Sequence, residues 1–429
     1  MKKLLALLLC LCLLAVPAFA EDSRQISAID VLKAFLAEDY AAVHDMLSPA
    51  VQSAITPEQL GQAWQSQLSL LGSYVSIAGT EAAGSAEALL LRHERGAQSL
   101  ITVRDEQGML VSLLLQPATL PEETPRTLPE GASETDVRLF PGTEQELQGK
   151  IIVPEAPNAP YVLFVHGSGP SDMDSTLYGN RPFLDLAYDL AALGVGSIRF
   201  DKVTLRHPEL PCDTVEQEYL IPVQEAYRVL RETTGAEQVF ILGHSQGGML
   251  MPWLVQACSA NGGIALAGTP CAFWEVSLQQ NLDLISLMPQ DQQPLLRAQI
   301  DAERARAEAL PGLSADEARQ QTIFGVNGFY LQHMGSLDQI AIARETGVPM
   351  LFLHGGRDVQ VSAPQHDAWL ERLGESPLYT AITYPELNHL FMPAQPDENI
   401  GNVTTCYAIP AHVDARVAQD IAAWIASLE

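Results

Sequence analysis

Basic residues are scarce in this chain. Twenty-four lysines and arginines stand against 52 aspartates and glutamates, a formal net charge of -28. A field of that sign repels nucleic acid and anionic membrane surfaces, so neither is expected as a partner, and the acidity is read as solubility. Cysteines are few as well, six in all, and their spacing matches no zinc-binding pattern, so no metal site is expected. After the first twenty residues no apolar run is long enough to cross a bilayer, which excludes a later membrane-spanning helix as an expectation. No internal repeat is present, so a solenoid or propeller is not expected.

The start of the chain is what the composition has in surplus. Lys2 and Lys3 precede an uninterrupted apolar stretch from Leu4 to Val16, and Ala18-Phe19-Ala20 puts small residues at a cleavage point before Glu21 and Asp22. Residues 1–20 therefore read as a secretory signal peptide, which places the mature protein outside the cytoplasm, secreted or in the cell envelope of a bacterium. Cys10 and Cys12 leave with it. Cys212, Cys258, Cys271 and Cys406 remain, and in an oxidising compartment four cysteines allow three full pairings. Free thiols are the alternative, and spacing does not choose.

The remainder is too long for one small core, and two domains are expected. In residues 21–116 helices come first and strands after. Val31, Leu32, Phe35, Leu36, Val43, Met46 and Leu47 recur at helical spacing, and Thr56-Pro57-Glu58-Gln59 reads as a capping box opening a helix that Gly72 stops. Strand-like runs follow at Tyr74–Ile77, Ala88–Arg92, Ser99–Arg104 and Met109–Leu115, with a turn at Asp105-Glu106-Gln107-Gly108. This is a small α+β accessory domain without a catalytic motif. Pro117, Pro121, Pro125 and Pro129 mark a linker over 117–133. Residues 134–429 then alternate short apolar strands with helices, which implies an α/β fold with a mostly parallel sheet covered on both faces. Residues 271–346 break that rhythm and read as a helical insertion, expected to cap the site.

Gly243-His244-Ser245-Gln246-Gly247 lies between the strand Gln238–Leu242 and the helical run Met249–Cys258. A nucleophile elbow holds its serine in a strained strand-to-helix turn, and flanking side chains would collide there. A free serine is a poor nucleophile, so it needs a base in hydrogen-bond reach and an acid to orient that base. In the order Ser, acid, His, the strand Met350–Leu353 leads to Asp358, and the strand ending at Tyr384 leads to His389. Both fall in loops at strand C-terminal ends, where open α/β sheets bind ligands. Glu386 is the competing acid. His354, His366 and His412 are the competing histidines, read as a strand-end, a helix-surface and a helix-start residue. For the oxyanion, the loop His166-Gly167-Ser168-Gly169-Pro170 follows another strand, and its glycines let the backbone N–H of Ser168 join that of Gln246.

With those motifs stated, the run from Thr135 to Glu429 resembles the α/β-hydrolase superfamily, close to its bacterial esterase and dienelactone-hydrolase-like branch. The marks are H-G-S-G-P at 166–170, G-H-S-x-G-G at 243–248, and echoes at Ser171-Asp172-Met173-Asp174 and Asn180-Arg181-Pro182-Phe183. Where relatives carry Asp-Lys-Arg-Gly, this chain has Asp201-Lys202-Val203-Thr204, so one wall of the pocket is expected to differ. The resemblance implies the α/β-hydrolase fold, a triad of Ser245, Asp358 and His389, an oxyanion hole from the backbones of Ser168 and Gln246, and cleavage of small carboxylic esters without cofactor or metal. The N-terminal part is similar to small domains that precede such hydrolases. A peptidase related to prolyl oligopeptidases is the alternative enzyme, and a non-catalytic binding protein keeping the fold is the alternative from another class. Substrate identity and oligomeric state are left open.

Overall fold

The computed structural model describes residues 26–120 and 126–428. The expected signal peptide at 1–20 and part of the expected linker lie outside the described residues. The chain forms two compact units.

In the N-terminal unit, helices Ala28–Leu36, Tyr40–Asp45, Pro49–Gln52 and Pro57–Leu71 precede strands β1 (Tyr74–Ala83), β2 (Ala86–His93), β3 (Ala97–Arg104) and β4 (Leu110–Ala118), an antiparallel meander. The local rules act as the residues dictate. Gln59 N–H donates to Thr56 Oγ1 at 3.3 Å and Thr56 N–H to Gln59 Oε1 at 2.9 Å, closing the capping box. Phe35 stacks on Trp64 with ring centroids 5.0 Å apart, and Leu89, Leu91, Leu100 and Leu110 close the core beneath them. Strand β4 runs through Pro117, into the stretch expected as linker. As an outer strand it tolerates a residue without an N–H. The segment Thr404–Pro410 also belongs to this unit, and Ile409 lies against Gly96. No sequence pattern announces that return of the chain.

The second unit holds β5 (Ser133–Leu139), β6 (Leu147–Val153), β7 (Tyr161–Val165), β8 (Gly196–Phe200), β9 (Val239–His244), β10 (Gly262–Leu266), the two-residue pair β11 (Thr322–Ile323) and β12 (Val326–Asn327), β13 (Met350–Gly355) and β14 (Tyr379–Tyr384). Eight of these form one sheet in the order β14-β13-β10-β9-β7-β8-β6-β5. It is parallel from β14 to β8, and β6 and β5 add an antiparallel hairpin at one edge. Strands β7, β8, β9, β10 and β13 are buried along their whole length, because helices such as Pro182–Ala192, Ile221–Thr234 and Gln246–Cys258 flank the sheet. From β7 the chain steps to β8 on one side and then to β9 on the other. That reversal is a topological switch point, where a crevice opens beyond the strand ends. Between β10 and β13 lie five α-helices, from Phe273–Ser286 to Gln339–Thr346, and one short 3-10 turn at Leu310–Gly312. This is the expected helical insertion.

Candidate active site

The β9 strand ends in a sharp reversal. Ser245 has φ 53° and ψ -116°, a strained conformation for a residue with a side chain, and it caps the helix Gln246–Cys258. Its N–H donates to Leu266 O at 2.8 Å and its carbonyl accepts from Met249 N at 2.9 Å, so the turn is held from both sides. Glycine is required around it by close approach. A Cβ on Gly243 would lie 2.2 Å from Gly247 O, and one on Gly247 would lie 2.5 Å from His166 O. The elbow is thus a packed crossing of three backbones, and its half-buried serine stands at the head of the helix.

Asp358 and His389 come together from successive strand ends. His389 Nδ1 donates to Asp358 Oδ2 at 2.6 Å, which leaves Nε2 with the free lone pair. Asp358 Oδ1 accepts from the N–H groups of Gln360 and Val361 at 2.7 and 2.9 Å. Burial raises the carboxyl's pKa, but the charge and hydrogen bond of His389 and the Val361 N–H outweigh it, so the group stays below the ordinary carboxylate range. Asn388 pins the histidine's loop by accepting from Leu390 N at 3.0 Å and Met392 N at 3.2 Å.

Ser245 joins this pair through its neighbour. The His244 ring stacks obliquely on His389, centroids 4.7 Å apart, and its Nε2 donates to His389 O at 3.0 Å. Burial first, and then His389, push His244 down to about 3, so it stays neutral. Among the described residues no hydrogen bond joins the Ser245 hydroxyl to His389; such contacts commonly tighten only when substrate is bound. On the other side, Gly167 lies against the serine. A Cβ there would be 3.1 Å from Ser245 Cβ, which brings the Ser168 peptide and the first turn of the helix at Gln246 to one place.

The competing residues go elsewhere. Glu386 is exposed and pairs with Arg416. His412 faces Asp185 at 3.1 Å. His354 Nε2 donates to Val361 O at 3.0 Å and lies 3.9 Å from Asp358 Oδ2, as a buried support of that loop. His366, expected on a helix surface, is buried and stacks on His354 with centroids 4.5 Å apart. Its helix turns that face to the sheet. Among the described residues Cys212, Cys258, Cys271 and Cys406 form no disulfide, and no cluster of side chains suits a metal ion. A cavity of about 820 Å³ lies between the insertion and the helix after Ser245, lined by residues such as Met249, Leu250, Phe273, Trp274, Phe329 and Met334.

A second polar layer lies beneath the Ser168 loop and escaped the motif reading. Lys202, only 2% exposed, reaches Gly167 O at 2.7 Å, Gly169 O at 3.1 Å and Tyr219 Oη at 2.7 Å, and pairs with Glu218 at 2.6 Å. The one available signal was the half-kept Asp201-Lys202 pair after a buried strand; Glu218 and Tyr219 carry no local signature.

Comparison with known proteins agrees with this architecture. Residues 162–400 match the alpha/beta hydrolase family, and residues 28–113 match a family of proteins of unknown function, DUF3887. Esterase EstD of Thermotoga maritima is 30% identical over 398 residues, 90% of this chain and 92% of that protein. Among solved structures, Est1E from Butyrivibrio proteoclasticus is similar at 14% identity and a TM-score of 0.41, covering 64% of this chain and 96% of that one. A dienelactone hydrolase from Anabaena variabilis is similar at 17% identity and a TM-score of 0.38, covering 65% and 96%. The chain belongs to the alpha/beta hydrolase family.

Proposed function

We propose that this protein is an exported serine carboxylesterase acting on small carboxylic esters. The observation that carries the reading is the 2.6 Å bond between His389 Nδ1 and buried Asp358, beside a strained Ser245 at the switch point of the sheet. Ser245 Oγ attacks the ester carbonyl carbon while His389 Nε2 takes its proton, and Asp358 holds the imidazole in the tautomer that leaves Nε2 free. The N–H groups of Ser168 and Gln246 receive the developing oxyanion. Collapse expels the alcohol, which takes the proton from His389, and water then releases the acid by the same steps. The relative named as an esterase supports the ester class. Export rests on the leader read from residues 1–20.

The insertion is the acyl-recognition element in this reading, since the cavity it lines adjoins the first turn after Ser245. A fluorophosphonate probe should label the protein once and should not label Ser245→Ala. Undiminished labelling or hydrolysis in Ser245→Ala would sink the proposal. A panel of esters and aminoacyl amides separates esterase from peptidase, the first being expected to turn over at least ~100-fold faster, as fits a site whose catalysis depends on transition-state contacts.

A further inference from the structure

Lys202 sits where an uncompensated charge would be expensive, and its surroundings are specific. Three ammonium protons face four oxygens: the carbonyls of Gly167 and Gly169, Tyr219 Oη and Glu218 Oε1. Tyr219, also 2% exposed, has one proton within reach of Gly167 O at 2.8 Å and Gln246 Oε1 at 3.0 Å. The Gln246 amide donates in turn to Tyr330 Oη at 2.8 Å, and Tyr330 donates to Glu218 Oε2 at 2.5 Å. A closed buried circuit therefore joins the Ser168 loop, the residue after the serine, the segment at Glu218-Tyr219 and the insertion. Burying an ammonium costs several kcal/mol unless it is paired and hydrogen-bonded, so a circuit of this kind needs a reason beyond filling space.

The reason lies in one peptide plane. The Gly167 carbonyl and the Ser168 N–H belong to the same trans peptide and point in opposite directions. Lys202 and Tyr219 hold the carbonyl toward the buried side, whereas Ser168 is exposed. We infer that Lys202, held by Glu218 and backed by Tyr219, is a positioning residue for the oxyanion hole: by fixing the Gly167 carbonyl inward it aims the Ser168 N–H at the substrate's carbonyl oxygen. An ammonium on the carbonyl also polarises the peptide, which strengthens its N–H as a donor. Lys202 touches no reacting atom. The inference rests on the serine-esterase reading above, and it assigns a task to the half-kept Asp201-Lys202 motif.

The test exploits the atom that the hole receives. Esters and their thionoesters, in which sulfur replaces the carbonyl oxygen, are compared in purified wild type, Lys202→Met, Tyr219→Phe and Ser245→Ala, with folding checked by circular dichroism and melting. Losing one oxyanion donor costs about 100- to 1000-fold in kcat, and misaiming one should cost Lys202→Met at least ~10-fold on the oxygen ester with KM little changed. The thionoester, whose sulfur anion is a poor acceptor, should lose under ~3-fold, so the oxygen-to-sulfur rate ratio collapses. Tyr219→Phe should lower the ratio in the same direction by ~3-fold or more. Equal losses on both substrates, or an unchanged kcat, would show that Lys202 only supports the fold. If Lys202→Met does not fold, Tyr219→Phe decides: an unchanged ratio overturns the inference. Turnover by Ser245→Ala would instead overturn the underlying reading, whatever Lys202 does.

Discussion

Asp358 and Glu386 are both carboxylates on the loops that lead toward His389, and environment separates them. Asp358 is buried, bonded to His389 Nδ1 and fed by two backbone N–H groups, whereas Glu386 faces solvent on Arg416. Asp358→Asn presents an amide where a proton acceptor is needed, so the imidazole is misoriented and kcat on an activated ester should fall by ~10⁴. Glu386→Gln should stay within ~3-fold, since an exposed ion pair contributes little. The two rates, measured side by side, check the assignment; a larger loss in Glu386→Gln reverses it. The elbow gives a second residue-scale prediction, in stability rather than rate. Gly243→Ala places a methyl 2.2 Å from Gly247 O, backbone against backbone, with no flexible end to yield. The cost should exceed ~4 kcal/mol, and urea melts should show either that loss or no folded protein. A loss under ~1 kcal/mol would mean the turn is looser than its geometry implies.

At the scale of elements, the insertion between β10 and β13 adds helices to the sheet's own connections. Its helices Phe273–Ser286 and Gly328–Gly335 contribute Phe273, Trp274, Phe329, Leu331 and Met334 to the lining of the 820 Å³ cavity, while Tyr330 from the second helix enters the buried circuit around Gln246. One element therefore meets both the proposed acyl pocket and the polar groups behind the proposed oxyanion hole. Trp274→Ala enlarges that cavity, and kcat/KM should shift toward longer acyl chains by ~10-fold relative to acetate, with the acetyl ester little affected. A profile lowered evenly across chain lengths would mean that the insertion supports the fold and does not read the acyl group. The elbow helix and the loop after β7 both leave the sheet at its switch point, and close approaches at Gly167 and Gly247 lock one against the other.

The molecule as a whole carries several buried neutral histidines beside its acid surplus. Burial pushes His166 and His366 down to about 4 and His244 to about 3. Their folded values lie below the unfolded value of about 6.5, so the unfolded chain takes up protons first as pH falls. The stability they contribute is complete above pH ~6.5 and is lost progressively toward pH 4, about 1 kcal/mol for each group by pH 5.5. The net charge of -28 relaxes over the same range and acts in the other direction, so the informative quantity is a difference between variants. Melting temperatures should drop from pH 7.5 to 5, and His366→Gln should give a shallower drop. An identical slope in that variant would contradict the burial argument.

Much of this protein is legible in one dimension because its determinants are local. The elbow needs glycines at set offsets from Ser245, the capping box needs Thr56 and Gln59 three apart, and buried parallel strands need short apolar runs; β9 and β13 fall on the runs Gln238–Leu242 and Met350–Leu353. Asp358 and His389 meet because the loops that carry them leave adjacent strand ends at one edge of the sheet. What escaped depends on distant segments meeting. Lys202, Glu218, Tyr219, Gln246 and Tyr330 are spread over more than a hundred positions, and no periodicity links them, since a buried hydrogen bond is satisfied by whatever segment folding brings near. His366 changed from surface to interior because it shares a helix face with Trp369 and Leu373, three and seven residues on, which pack inward and bury it with them. The return of Thr404–Pro410 to the N-terminal unit has the same cause. Local spacing determined which chemistry the chain can present, and tertiary packing decided which buried groups hold that chemistry in position, because only packing removes the water that would otherwise satisfy them.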